Sequence, residues 1–149
     1  MSDIAHELYA AYNNHDFAAA AALYAASGSH TDVAQGRTQI GPAKIAEGLR
    51  RFFEWFPDVE WAPQSFITDP RGEVAIPYSM TATLQAAMGP ILPRQQRVSL
   101  RGVHLIRLAG QQILSSEDYW DAATFQRQIN ETTKMKPPRR SHEDWQGIS

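Results

Sequence analysis

The stretch Arg97-Val98-Ser99-Leu100-Arg101-Gly102-Val103-His104-Leu105-Ile106-Arg107-Leu108, then Ala109-Gly110-Gln111, then Gln112-Ile113-Leu114-Ser115-Ser116-Glu117-Asp118-Tyr119-Trp120, decides the architecture. In its first part Val98, Leu100, Gly102, His104, Ile106 and Leu108 share one face of an extended chain. Ser99, Arg101, Val103, Leu105 and Arg107 share the other. Side chains alternate along a strand, so this period of two predicts a strand whose more apolar face, His104 included, points inward. Ala109-Gly110-Gln111 reads as a hairpin turn. In the return strand Leu114, Ser116, Asp118 and Trp120 share one face, and Ile113, Ser115, Glu117 and Tyr119 the other. With the turn centred at Gly110, the partner of His104 falls near Ser116, so Asp118 is a diagonal neighbour or closer. Diagonal side chains are within reach, and a slip of one residue would turn one of them outward.

Upstream, Val74, Ile76, Tyr78, Met80, Ala82 and Leu84 alternate along another long strand, preceded by a turn at Asp69-Pro70-Arg71-Gly72 and a strand from Val59 to Thr68. Helices come before these strands. Ser2 or Asp3 caps the first, with Ile4, Leu8, Ala11 and Tyr12 as its buried stripe, and Asn13-Asn14-His15 turns the chain. Asp16 caps a second, in which Phe17, Ala20, Leu23 and Tyr24 share a face and which Gly28 ends. Residues 29–34 form a strand or loop. Pro42 opens a third helix, whose apolar face is Ile45, Leu49, Phe52, Phe53 and Phe56. A last helix spans residues 122–130 behind Asp121. Helices first and hairpin-linked strands later predict an α+β domain over residues 1–132, an antiparallel sheet with helices on one face. Residues 133–149, with Pro137-Pro138, Arg139-Arg140 and Trp145, read as a polar arm.

The composition is that of a soluble globular domain: 149 residues, 43% hydrophobic, 20% charged, net charge −2. Nothing basic enough for nucleic acid is present, and no apolar run suits a signal peptide or a membrane span. There are no cysteines, which rules out disulfides, thiolate metal sites and a cysteine nucleophile and fits a cytoplasmic protein. The five histidines make no His-x-His or His-Glu-x-x-His pattern, so no metal site is expected.

His104 on an apolar face is either a core histidine or a pocket histidine with a pKa lowered by desolvation. A carboxylate at Asp118 is costly on such a face unless paired or protonated. It is therefore either a candidate acid/base or half of a salt bridge, with Arg94 or Arg97. Asp121 reads as a helix cap. His30-Thr31-Asp32 is a third candidate, a solvated loop or a segment at the mouth of a cavity.

Several ordered segments resemble the SnoaL-like polyketide cyclases. They are Tyr9-Ala10-Ala11-Tyr12-Asn13 with His15-Asp16-Phe17 and Leu23-Tyr24, and Gly41-Pro42 leading to Arg51-Phe52-Phe53-Glu54-Trp55-Phe56-Pro57-Asp58. Arg97 to Leu105 is closer still, and Glu117-Asp118-Tyr119-Trp120-Asp121 with Phe125-Gln126-Arg127-Gln128-Ile129 completes the set. The resemblance implies a cone-shaped α+β barrel of the nuclear transport factor 2-like superfamily, its curved sheet wrapped around the N-terminal helices, often as a homodimer. It implies ring closure by intramolecular aldol condensation without cofactor or metal, with Asp118 as acid/base and His104 assisting. His30 falls where the family often has a polar pocket residue, and Tyr78 and Trp120 would line the walls. Pro93-Arg94-Gln95-Gln96-Arg97 departs from the family's usual Pro-Thr-Gly-Arg loop, which leaves open a small hydrophobic carbonyl substrate other than a polyketide. An isomerase, a hydrolase or dehydratase, and a non-catalytic ligand-binding or dimerisation module are the alternatives for the same cavity.

Overall fold

The alternating segments become the centre of one curved sheet. The computed structural model describes residues 3–131, so the arm at 133–149 lies outside the described residues. Strands β1 (Tyr24–Asp32), β2 (Arg37–Ile40), β3 (Glu60–Pro63), β4 (Ile67–Thr68), β5 (Glu73–Thr83), β6 (Arg97–Ala109) and β7 (Gln112–Trp120) form it in the order β2-β1-β7-β6-β5-β3, with β4 also on β5. Helices α1 (Ile4–Asn13), α2 (Phe17–Ala22), α3 (Pro42–Trp55) and α4 (Ala122–Asn130) complete an α+β fold. Leu8, Ile76, Ala82, Leu84, Val98, Ile106, Ile113 and Ile129 are fully buried between sheet and helices. No described helix is long and apolar enough to cross a membrane.

Caps set the helix starts. The Asp3 carboxylate accepts from Ala5 N and His6 N, and Asp121 accepts from Ala123 N and Thr124 N, satisfying amides that a helix start leaves unpaired. Asn13, the last residue of α1, also fastens that helix to β3: its amide donates to Trp61 O at 2.9 Å and accepts from Trp61 N at 2.8 Å.

Five expectations need correction. The second helix stops at Ala22, and Tyr24 begins β1 instead of extending the helical face. Gly28 is no helix stop: it lets β1 approach β7, because a Cβ there would lie 2.8 Å from Ile113 O. The Val59–Thr68 strand is two short strands, β3 and β4, whose registers on β5 differ by one residue. The sheet is not wholly antiparallel, since β1 runs parallel to β7. No hairpin links those two strands, so no turn dictates their relative direction.

The fifth correction concerns β7. Its register on β6 shifts between Arg107 and Leu108, so that Leu108 faces Ile113 while Arg107 faces Ser115. Leu114 is the extra residue of a bulge. Parity reverses there: Ile113 is buried and Leu114 is 45% exposed, the opposite of simple alternation. The turn is also tighter than a centre at Gly110 implies, because Ala109 already pairs with Gln112. The two offsets add, and His104 faces Asp118 directly.

Gln96 ties α4 to the start of β6. Fully buried, it donates to Leu92 O at 3.0 Å and Ile129 O at 3.1 Å and accepts from Arg94 N at 2.6 Å. Gln96→Leu strands these backbone groups and should lower stability by about 1–3 kcal/mol in urea denaturation; an unchanged midpoint would show that the network is replaceable.

Candidate active site

Tyr78 on β5 and Asp118 on β7 are two strands apart, about 10 Å at the usual strand spacing. The strand between them carries Gly102, paired with Tyr78 on one side and Trp120 on the other. A Cβ at Gly102 would lie 2.5 Å from the Tyr78 hydroxyl and 2.6 Å from its Cζ. The ring therefore lies across the glycine, and its hydroxyl donates to Asp118 Oδ1 at 2.7 Å. Asp118 has no salt bridge among the described residues: Arg97 instead reaches Asp58 and Thr83, and Arg94 makes no ion pair with it. Burial pushes the Asp118 carboxyl up to about 7; the Tyr78 bond opposes this, and the nearby charge of Asp32 adds to it. Burial, then Asp118, holds the Tyr78 hydroxyl well above the ordinary tyrosine range.

Asp118, Tyr78, Trp120 and His30 line a common cavity of about 370 Å³. Its apolar walls include Ile45, Leu49, Phe52, Trp61, Leu100 and Phe125, from α3, β3, β6 and α4. Such a volume and lining suit a small, largely hydrophobic molecule.

His104 takes a different place. It faces Asp118 on the ladder but is not among the cavity-lining residues; it lies behind them, 1% exposed, and shares a 3.0 Å hydrogen bond through Nδ1 with the Tyr9 hydroxyl. Its Nε2 is buried without a partner. Burial, then His30, holds its pKa well below the usual histidine range, so the ring is neutral at pH 7.

His30 lies on β1 opposite Ser116, with Nδ1 2.7 Å from Ser116 Oγ, which is 2.6 Å from the Tyr24 hydroxyl. Burial pushes the His30 pKa down to about 4. Two residues along the parallel pair, Asp32 faces Asp118. Asp32 accepts from Trp120 Nε1 at 3.1 Å, also lines the cavity, and is raised by burial. Asp32 is part of the site, not of a solvated loop. Simple alternation already put Ser116 beside Asp118. Gly102 was recognisable as a glycine inside a strand, a sign of close approach. The place of Asp32 depends on the parallel pairing, which no local pattern signals. Among the described residues no group of three or more His, Asp or Glu side chains is placed to hold a metal ion.

The sequence pattern of the SnoaL-like polyketide cyclases matches residues 2–129. The chain belongs to the SnoaL-like polyketide cyclase family. Solved structures of similar shape include a protein with a ketosteroid isomerase-like fold from Catenulispora acidiphila, in complex with trimethylamine, at 21% identity and TM-score 0.74, covering 87% of this chain and 93% of that one. A putative polyketide cyclase from Xanthomonas campestris pv. campestris has 21% identity and TM-score 0.73, over 85% and 93% of the two chains. AclR, a putative hydroxylase from Streptomyces galilaeus, has 20% identity and TM-score 0.73, over 85% and 92%. At such identities the likeness shows a shared fold. No curated protein matches the sequence.

Two predictions follow from the Tyr78–Asp118 bond and the burial of Asp118. Tyr78→Phe and Gly102→Ala both remove a hydrogen bond to the ionised form, so carboxyl-carbon NMR should find Asp118 titrating above about 7; an unchanged value would mean the bond is not made in solution. The folded-state value lies above the ordinary 3.8, so the protonated form is the one folding favours. The stability from this group is full below about pH 4 and is lost as pH rises through about 7. Asp118→Asn should therefore gain on wild type across that window in thermal melts and hold its advantage above it; a constant difference would contradict the raised value.

Proposed function

We propose that this chain is a cofactor-independent proton-transfer enzyme of the cyclase or isomerase type, acting on a small hydrophobic carbonyl compound. The observation that carries this reading is Asp118: a carboxylate desolvated to a pKa of about 7, tethered through Oδ1 to Tyr78, on the wall of a largely apolar cavity. An ordinary carboxylate is a weak base for a carbon acid. One near neutrality is both a better base and, once protonated, a usable acid.

The chemistry assigned to the site has two steps. Asp118 takes a proton from the carbon beside a carbonyl, and the C–H electron pair becomes the enolate. In a cyclase, the enolate carbon then bonds to a second carbonyl carbon of the same molecule, and the resulting alkoxide takes the proton back from Asp118. In an isomerase, the proton returns to a different carbon of the conjugated system. Tyr78 holds the carboxylate in place, and Trp120 and the aromatic walls exclude water from the enolate. His104, behind the cavity surface, is assigned a positioning role through Tyr9 rather than contact with substrate.

We also propose a homodimer through the outer face of β6 and β7, where Val103 and Tyr119 are cross-strand partners and are 40% and 43% exposed. Val103→Asp should shift the mass seen by light scattering from two chains to one, and a monomeric wild type would refute the pairing.

The proton-transfer reading can be tested without knowing the natural substrate. 2-Tetralone is a small, apolar ketone with exchangeable protons beside its carbonyl. In D2O, wild type should accelerate their exchange over buffer, with kcat/KM rising with pH through about 7 as Asp118 ionises. Asp118→Asn should lose at least about 100-fold. No acceleration by wild type, or full activity in Asp118→Asn, would overturn the assignment.

A further inference from the structure

The pocket has a base, but the mechanism above leaves the developing oxyanion without a donor. His30 is the group placed to supply one. It lines the cavity, and its Nδ1 is committed to Ser116. Its Nε2 makes no hydrogen bond with any described residue, yet it is not sealed in, since the only buried unpartnered side-chain atom among the described residues is His104 Nε2. Nε2 is therefore the ring atom left to the cavity. The parallel register puts His30 and Ser116 on one rung and Asp32 and Asp118 two residues further along, so His30 and Asp118 sit about 7 Å apart along the strands. That span suits two groups working on a carbonyl oxygen and the carbon next to it.

A chain of buried hydroxyls decides which nitrogen of His30 carries the proton. Tyr24 lies 2.6 Å from Ser116 and has Tyr12 as its other hydrogen-bonding neighbour. Suppose Tyr12 donates to Tyr24, Tyr24 to Ser116, and Ser116 to Nδ1. Every hydroxyl proton then has an acceptor, and the imidazole proton must sit on Nε2. In the opposite sense Nδ1 donates to Ser116, and the last proton of the chain ends on Tyr12, which itself lines the cavity. Each sense leaves one donor to the cavity, Nε2–H in the first and the Tyr12 hydroxyl in the second, and the donor role of His30 requires the first.

We propose that His30 is a second catalytic residue, a neutral imidazole whose Nε2–H, fixed by the Tyr12–Tyr24–Ser116 relay, donates a hydrogen bond to the substrate carbonyl oxygen while Asp118 takes the proton from the adjacent carbon. The proposal rests on the proton-transfer reading of Asp118 for its chemistry, but not for its tautomer. Burial keeps the ring neutral, with a pKa of about 4. A neutral N–H suits this task, because it strengthens its hydrogen bond as charge builds on the oxygen and does not lose its proton to the enolate.

Long-range proton–nitrogen correlation NMR on histidine-labelled full-length chain at pH 7 reads the tautomer directly, with no substrate. His30 should carry its proton on Nε2 alone. Ser116→Ala and Tyr24→Phe should each yield a mixture of tautomers. A proton on Nδ1 in wild type, or an unmixed Nε2 tautomer in both variants, would overturn the relay. In the 2-tetralone exchange assay, His30→Ala should lose about 100-fold, while His30→Gln, which keeps an N–H donor, should recover at least a tenth of wild-type activity. Equal losses in the two variants, or none in either, would overturn the donor role. If wild type exchanges nothing, the Asp118 reading and the donor role both fail, and the tautomer spectrum still judges the relay by itself.

Discussion

Tyr78 lies across Gly102 to reach Asp118, joining three adjacent strands by one hydrogen bond. The pocket depends on that crossing. It occupies the space a side chain at position 102 would fill, and it gives the carboxylate a donor inside a largely apolar cavity. It also leaves Oδ2 without a partner among the described residues. Without the glycine, the tyrosine ring would be pushed off the sheet. The carboxylate would then lack its one neutral tether in a place where an unpaired charge is expensive.

The electrostatics of the site share a single cause. Burial raises Asp118 to about 7 and lowers His30 to about 4, and it holds His104 well below the usual histidine value. The histidines therefore stay uncharged where the carboxylate is half ionised. Among the described residues no cation pairs with the acid, so the base keeps its strength instead of spending it in a salt bridge. Asp32 adds to the effect, since a second carboxylate on the neighbouring strand makes the first harder to ionise.

Much of this was legible in the residues because it is local. The period of two in β5 and β6 placed Ile76, Tyr78, His104 and Ile106 inward, and all four are buried. Asp3, Asp16 and Asp121 cap helices where a short acidic side chain precedes an apolar stripe. The pairing of His104 with Asp118 was within reach of a turn count but one bulge and one turn residue away from it. What the sequence did not disclose is non-local. The parallel contact of β1 with β7 brings Asp32 and His30 to the site, and it arises from strands some 90 positions apart with no turn between them. The alanine-rich stretch that favours helix through Tyr24 was overridden at that tyrosine, whose ring is buried against Ser116. The standing of His104 behind the cavity wall also depended on where the cavity lies, which no alternation pattern contains.

The bulge at Leu114 bears on how this chain tolerates change. Leu114 and Ser115 both face away from the core, so their identities carry little of the fold. Their number matters less than it would in a regular ladder. Leu114 is the residue the ladder leaves unpaired, so removing it would bring Ile113 and Ser115 into regular alternation and leave Ser116 and Asp118 facing inward. The segment is thus permissive to spelling and, by one residue, to length. A variant library built by substitution would find it almost silent, and a single-codon deletion there would straighten β7 without turning the pocket wall.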